Sequence, residues 1–298
     1  MKPGLHRALP EAAYHADPCE TPSLSASVAR ILIARSPDHA WTAHPRLNPA
    51  YRAAEREAFD LGHAAETLLL EGDNRMEVID AGDYRTKAAQ EARDGARAAG
   101  RYPVLPAQHA AILAMRSVAI EAISACRDLS GLTLADGRAQ QTLIWRESNG
   151  IWCRSRLDWM SEARDLILDY KTTSASANPA AWVRTMLGGG GDIQPALYLR
   201  GNAATGGPEN AKFLWLVQET VPPYACAFMG AHPSMLELGS GKAETAIEQW
   251  GACLKSDTWP AYPPRIYWLE APGWAQASWE EAQSGILADP AILFGGLK

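Results

Sequence analysis

The chain has 298 residues, with 28 Lys and Arg against 34 Asp and Glu, for a formal net charge of −6. Apolar residues make up 47% and charged residues 21%, ordinary globular usage that excludes a disordered, collagen-like or coiled-coil chain. No stretch approaches the roughly 18 consecutive apolar residues that a membrane-spanning helix needs, and this length can bury a proper core.

The N-terminal stretch MKPGLHRALPEAAYHADP has no apolar segment ahead of its prolines and acids. No signal peptide is therefore expected, residues 1–13 read as a tail, and the expected location is the cytoplasm, away from membranes. An extended lead then runs into a short helix, with Ser25 or Ser27 as its cap, Val28, Ile31 and Leu32 as its stripe, and Pro37 as its stop. A second helix is predicted from Pro49 to Glu71, closed by Gly72. A short strand at Met76–Asp80, a basic segment at Arg85–Arg101 and a long helix at Ala107–Ala125 follow, the last amphipathic through Ile112, Met115, Ala119 and Ile123. Taken alone, the basic segment reads as a solvated helix face.

From Gln141 the period changes. Gln141–Glu147, Ile151–Met160 and Leu166–Lys171 read as three strands joined by turns at 148–150 and 161–165. Helices at Pro179–Met186 and Ile193–Leu199 follow, the second with Asp192 as a potential cap. Strands at Ala211–Glu219 and Tyr224–Met229, a helix at Pro233–Leu254 and a Trp- and Pro-rich tail complete the chain. The expected fold class is α/β: one domain over 14–298, with a central mixed sheet flanked by helices. The five cysteines are scattered without a C-x-x-C pair, which argues against disulfides, a zinc ribbon or an iron–sulfur cluster and for buried thiols.

Side chains alternate faces along a strand. Asp169 and Lys171 therefore share a face, and so do Arg154, Arg156 and Asp158 on the strand before. If the two strands pair around the turn at 161–165, Asp158 and Asp169 arrive together. Paired carboxylates are costly to desolvate without a cation, and hard oxygen ligands select Mg²⁺ or Mn²⁺. Lys171 beside such a metal could orient a water or stabilise developing negative charge. The same residues also fit a solvated charged face with a surface Asp–Lys pair; the coincidence of D-(x)₁₀-D-x-K with strand–turn–strand favours the site.

Asp158 followed by LILDYKTT resembles the PD-(D/E)XK nuclease signature. Within that superfamily the chain is most similar to RecE-type exonucleases (exodeoxyribonuclease VIII) and their prophage relatives. YHADP…SLSASVARIL…SPDHAW, FDLGHAAETLLLEG, CRSRLDW, ILDYKTT, QPALYL and WPAYPPRIYWLEAPGWA each resemble a family segment, in the family's order, over roughly Tyr14–Ala275. The resemblance implies a restriction-endonuclease-like domain whose metal ligands are His63, Asp158, Asp169 and the Tyr170 carbonyl. It implies Lys171 as the catalytic lysine, with Gln194 and Tyr198, four residues apart on one helix face, contacting the DNA end or aligning that lysine. Thr172 and Thr173 would hydrogen-bond around it. Arg154 and Arg156 are candidate DNA contacts. Glu66, one turn beyond His63, is either a partner behind the metal ligands or a surface ion-pairing residue.

One departure concerns the strand before Arg-x-Asp, where relatives often carry a glutamate and this chain has Gln140-Gln141. An amide cannot supply a carboxylate's charge, so either a second metal site is weaker here or that glutamate is not essential. The implied activity is 5′–3′ digestion of linear duplex DNA in recombination, by a ring-forming homo-oligomer that serves a single-strand annealing protein. The alternatives are an endonuclease or flap nuclease on the same core, and a catalytically degenerate DNA-binding member. Gly188–Gly191 lacks the Gly-Lys-Ser/Thr of a phosphate-binding loop and reads as a mobile loop beside the cleft. No role is expected for His6, His15, His39, His44, His109 and His232; Trp259, Trp268, Trp274 and Trp279 of the tail could stack bases, but read rather as packing against the core or a neighbouring subunit.

Overall fold

Gly4–His6 (β1) adds antiparallel to an edge of the main sheet, with Leu5 opposite Leu143. The start of the chain, which reads as a tail in sequence, is thus paired; three residues carry no periodic signal, so such a strand shows itself only through its partner. The computed structural model describes residues 1–52, 57–129 and 131–288. After Glu11–His15 (α1), Leu24–Ser25 (β2) runs directly into Ala26–Ala34 (α2), whose N-cap Ser25 accepts a hydrogen bond from Val28 N–H. Val28, Ala29 and Leu32 are its buried stripe, with Ile31 half-buried beside them. Pro37 opens a further helix, Pro37–Thr42 (α3), capped by Ser36; proline suits a first turn, where its missing N–H would have no partner.

The helix predicted over 49–71 is shorter, Glu57–Glu66 (α4), and widens into a π-turn over Thr67–Glu71 before Gly72 ends it at φ 68°. Residues 53–56 of that expectation lie outside the described residues. Met76–Val78 (β3) and Tyr102–Val104 (β4) form a separate parallel pair, joined by Lys87–Ala98 (α5). Pro106–Ala125 (α6) buries Ile112, Met115, Ala119 and Ile123, the face expected from their spacing.

Gly137–Arg146 (β5), Trp152–Ser161 (β6) and Leu166–Thr173 (β7) form the antiparallel meander. Pro179–Gly188 (α7) and Ile193–Ala204 (α8) then carry the chain over to Lys212–Glu219 (β8), parallel to β7, and Cys226–Gly230 (β9) returns antiparallel. A parallel neighbour needs such a crossover. The sheet runs β1–β5–β6–β7–β8–β9, with β2 parallel on β6, and is seven-stranded. Pro233–Ser256 (α9) packs with α2 and α8 on one side, around Trp145, Trp215 and Trp250. On the other side α4 and α6 cover Trp159, Leu168, Tyr170 and Leu216. The expected α/β architecture, a central mixed sheet between helices, is the one observed.

Residues Met1–Ala261 form one compact unit and Tyr262–Lys298 a second. Within the second, Arg265 lies over the Tyr267 ring and Gly273–Ala288 (α10) is helical, an element absent from the sequence reading. In the first unit Trp259 packs edge-on against Trp250 at 4.9 Å. All five cysteines are free; Cys19, Cys153 and Cys253 are buried as expected, whereas Cys126 and Cys226 are half-buried. Asp192 does not cap α8: its buried carboxylate pairs with Lys242 of α9 at 2.6 Å.

A buried ionic knot fastens the N-terminal segment to the sheet. Asp17, at φ 59°, accepts from Ser23 N–H at 2.8 Å and from the Ser23 hydroxyl at 2.7 Å. It also faces Arg154 and His44, each at 3.2 Å. Burial works to raise the Asp17 carboxyl, but His44, Arg154 and Ser23 outweigh it and hold it well below the usual range. A depressed acid stabilises the fold above its unfolded value of about 4, and that contribution disappears as pH falls through the folded value. Asp17→Ala strands a buried guanidinium and is expected to lower the unfolding free energy at pH 7 by about 3–5 kcal/mol. Urea denaturation measures it, and the deficit should shrink in acid as the wild type loses the same contribution.

Candidate active site

The site grows out of a fork in the sheet. Strands β6 and β7 pair at Trp159–Leu168 and Met160–Ile167, and the next residues along each are Asp158 and Asp169. At its other end β6 pairs with β2, at Cys153 and Arg154. Where the ladder stops, a backbone N–H loses its carbonyl and needs another acceptor. The Asp158 carboxylate fills that place, its Oδ2 accepting from Tyr170 N–H at 2.9 Å. The alternation LILDYK then puts Ile167, Asp169 and Lys171 on one face and Leu168 and Tyr170 in the core beneath α4 and α6. The Tyr170 hydroxyl donates to Gln218 Oε1 at 2.5 Å, tying β7 to β8.

Lys171 Nζ stands 2.5 Å from Asp169 Oδ2 and 3.7 Å from Asp158 Oδ2. Asp169 is fully buried, and burial, reinforced by Asp158, pushes its carboxyl up to about 7 despite the lysine. Burial works against the Lys171 ammonium, but Asp169 and then Asp158 outweigh it and hold it above its ordinary value. From α8, Gln194 Nε2 donates to Asp169 Oδ1 at 2.7 Å and to the Tyr198 hydroxyl at 3.1 Å. Burial, and then Asp169, raise the Tyr198 phenol. The structure therefore brings Asp158, Asp169, Lys171, Gln194 and Tyr198 together from three elements.

Helix α4 lends both Glu66 and His63 to the lining of the cleft over this site. Burial raises the Glu66 carboxyl well above its usual value, with Asp158 and Asp169 adding to the shift and Lys171 opposing it, so Glu66 belongs to the same electrostatic cluster. His63 is exposed, its ring 5.9 Å from that of Tyr102 at the cleft wall. A Cβ on Gly62 would stand 3.4 Å from Thr172 Oγ1, so Gly62 marks the face of α4 that meets β7. Glu66 lies four residues on and shares that face, whereas His63 is rotated about 100° from Gly62. Thr172 thus serves as the seat for α4.

Gln140 Nε2 donates to Glu66 Oε1 at 2.5 Å, and Gln140 Oε1 accepts from Arg156 Nε at 2.6 Å. Arg156 also donates to the Leu9 carbonyl at 2.9 Å. Arg154, proposed from sequence as a DNA contact, is 4% exposed and committed to Asp17 and Ser23; a buried guanidinium must be paired, and its partners come from the N-terminal segment that covers it. A cleft of about 640 Å³ opens over the site, lined by Tyr14, Glu66, Gln140, Arg156, Asp158, Gln194 and Tyr198 among others. Arg30 also lines it and donates to the Gly189 carbonyl at 2.8 Å, so the glycine loop has a fixed contact there. The basic segment is largely ion-paired: Arg85, Lys87, Arg93, Arg97 and Arg101 each lie within 4.0 Å of an acidic side chain, Arg93 and Arg97 sharing Asp94.

Three carboxylates confronting one ammonium leave an excess of hard negative oxygen at a partly buried point. That donor set fits a divalent cation such as Mg²⁺ or Mn²⁺. Among the described residues no group of three or more His, Cys, Asp or Glu side chains is placed to hold a metal ion, and Lys171 is the cation that Asp158 and Asp169 share.

The family model for a PDDEXK-like domain of unknown function (DUF3799) matches residues 34–269. No curated protein matches the chain. Among solved structures, a "putative exonuclease" from Eubacterium rectale superposes with a TM-score of 0.59 at 13% identity, covering 90% of this chain and 96% of its own. SSO0001 aligns at 12% identity with a TM-score of 0.28, over 66% of this chain and 87% of its own.

The raised Asp169 carboxyl carries a stability signature. Folded Asp169 keeps its proton to about 7, whereas an unfolded aspartate loses it near 4. Between those values the native state binds more protons, so rising pH destabilises it. Metal-free Asp169→Asn is therefore expected to melt above the wild type at pH 8, with the gap closing by pH 5. Thermal denaturation in EDTA at the two pH values measures it.

Proposed function

The chain belongs to the PDDEXK-like domain family DUF3799, and from that membership and the site we propose a metal-dependent deoxyribonuclease that digests linear duplex DNA 5′ to 3′ from its ends. The observation that carries the reading is the Asp158–Asp169–Lys171 cluster at the fork, with Gln194 bonded to Asp169. The E. rectale protein's description as an exonuclease favours an end-dependent activity over internal cutting.

Asp158, Asp169 and the Tyr170 carbonyl, with His63 or Glu66 from α4, would hold Mg²⁺ or Mn²⁺, which when bound supplies Lewis-acid charge at the scissile phosphodiester. The chain's own groups do the remaining work. Asp169 keeps Lys171 charged, so the ammonium acts as a hydrogen-bond donor to the phosphate oxygens or the attacking water rather than as a base. Gln194 fixes one Asp169 oxygen while Lys171 takes the other, which removes the carboxylate's rotational freedom before substrate arrives. Tyr198, through Gln194, extends that brace along α8. On this reading the substrate is a DNA end, the active form is a homo-oligomer, and a single-strand annealing protein receives the product.

The test is incubation of 5′-labelled linear duplex and covalently closed duplex with Mg²⁺ or Mn²⁺. The linear DNA should disappear with early release of the 5′ label while closed circles persist. Asp169→Ala should slow digestion by on the order of 100-fold or more. Cut circles would point to an endonuclease, and no cleavage with either metal would leave a DNA-binding protein without the activity.

A further inference from the structure

Gln140 combines a strained backbone with a doubly used side chain. It sits in β5 between the pairs Ala139–Trp159 and Gln141–Leu157, opposite Asp158, with φ at 54°. A non-glycine residue holds a left-handed conformation inside a strand only where its surroundings over-determine it. Here the side chain supplies the determination, giving its N–H to Glu66 at 2.5 Å and accepting from Arg156 Nε at 2.6 Å. Arg156 is fixed in turn by the Leu9 carbonyl at 2.9 Å.

The chemistry of this link is specific to an amide. Gln carries a donor and an acceptor at one end, so it can join a guanidinium, which only donates, to a carboxylate, which only accepts. A glutamate at 140 would set acceptor against acceptor at Glu66. A leucine would leave Arg156 Nε and Glu66 Oε1 without these partners. Gln140 is therefore the connection that a carboxylate on the neighbouring helix requires, rather than the remnant of a strand ligand.

We propose that Arg156 and Gln140 are positioning residues that hold the Glu66 carboxylate beside Asp158 and Asp169, so that α4 rather than β5 supplies the third acidic group of the metal site. The inference rests on the metal-dependent reading above. Arg156 is then occupied in building the site and is not a free cation for DNA.

Mn²⁺ titration of the full chain, by calorimetry or electron paramagnetic resonance and without DNA, tests it. Gln140→Leu and Arg156→Met should each weaken Mn²⁺ binding by about 10- to 100-fold, with unchanged circular dichroism. Glu66→Gln should weaken it at least as much. In the Glu66→Gln background Gln140→Leu should cost nothing further, because it acts through Glu66. Wild-type affinity in a folded Gln140→Leu or Arg156→Met, or a full additional loss in the double variant, overturns the relay alone. A wild type that binds no Mn²⁺ overturns the metal-dependent reading and the relay together.

Discussion

The Asp158 carboxylate occupies the place where a β-ladder ends. Strands β6 and β7 pair for two rows and then part, and the Tyr170 N–H released by that parting is bonded by Asp158 instead of a carbonyl. The fork creates the opening for a cleft and fixes an acid at its apex in one step. Asp169 and Lys171 follow from the alternation of β7, and α8 and α4 bring Gln194 and Glu66 to the same point. Loss of the fork's geometry would separate all of them.

Such a site strains the fold that carries it. Asp169 is fully buried beside a second aspartate, with Lys171 as the nearest cation, so its ionisation opposes stability through the neutral range. The surrounding structure offsets this with well-partnered elements elsewhere. The Asp17 knot ties the N-terminal segment to β6, and the two apolar clusters grip the sheet from both faces. The contrast between the two buried aspartates is instructive. Asp17 has several donors and stays ionised, whereas Asp169 has an amide and one lysine against a second carboxylate and titrates near neutrality.

The two arginines of CRSRLDW diverge in the same way. Alternation places Arg154 and Arg156 on one face with Asp158 and suggests a shared role at the substrate. The N-terminal segment folds back over that face, and each arginine is taken up by part of it: Arg154 by Asp17 and Ser23, Arg156 by the Leu9 carbonyl and by Gln140. Neither N-terminal partner could be inferred from a strand pattern, because the Arg154–Asp17 and Arg156–Leu9 contacts each span more than a hundred residues of sequence.

Local rules determined the three-strand meander, the buried stripe of α6, the caps at Ser25 and Gly72, and the nearness of Asp158 to Asp169. Each of these depends on a period of two or 3.6 residues, or on a turn that joins neighbours. Tertiary structure alone decided that Gly4–His6 joins the sheet, that Arg154 is taken up by Asp17, and that Gln140 links Glu66 to Arg156. Those outcomes depend on which distant groups a donor or acceptor meets. A single chain's pattern carries the periodicity of its elements, but not the way in which they are packed together.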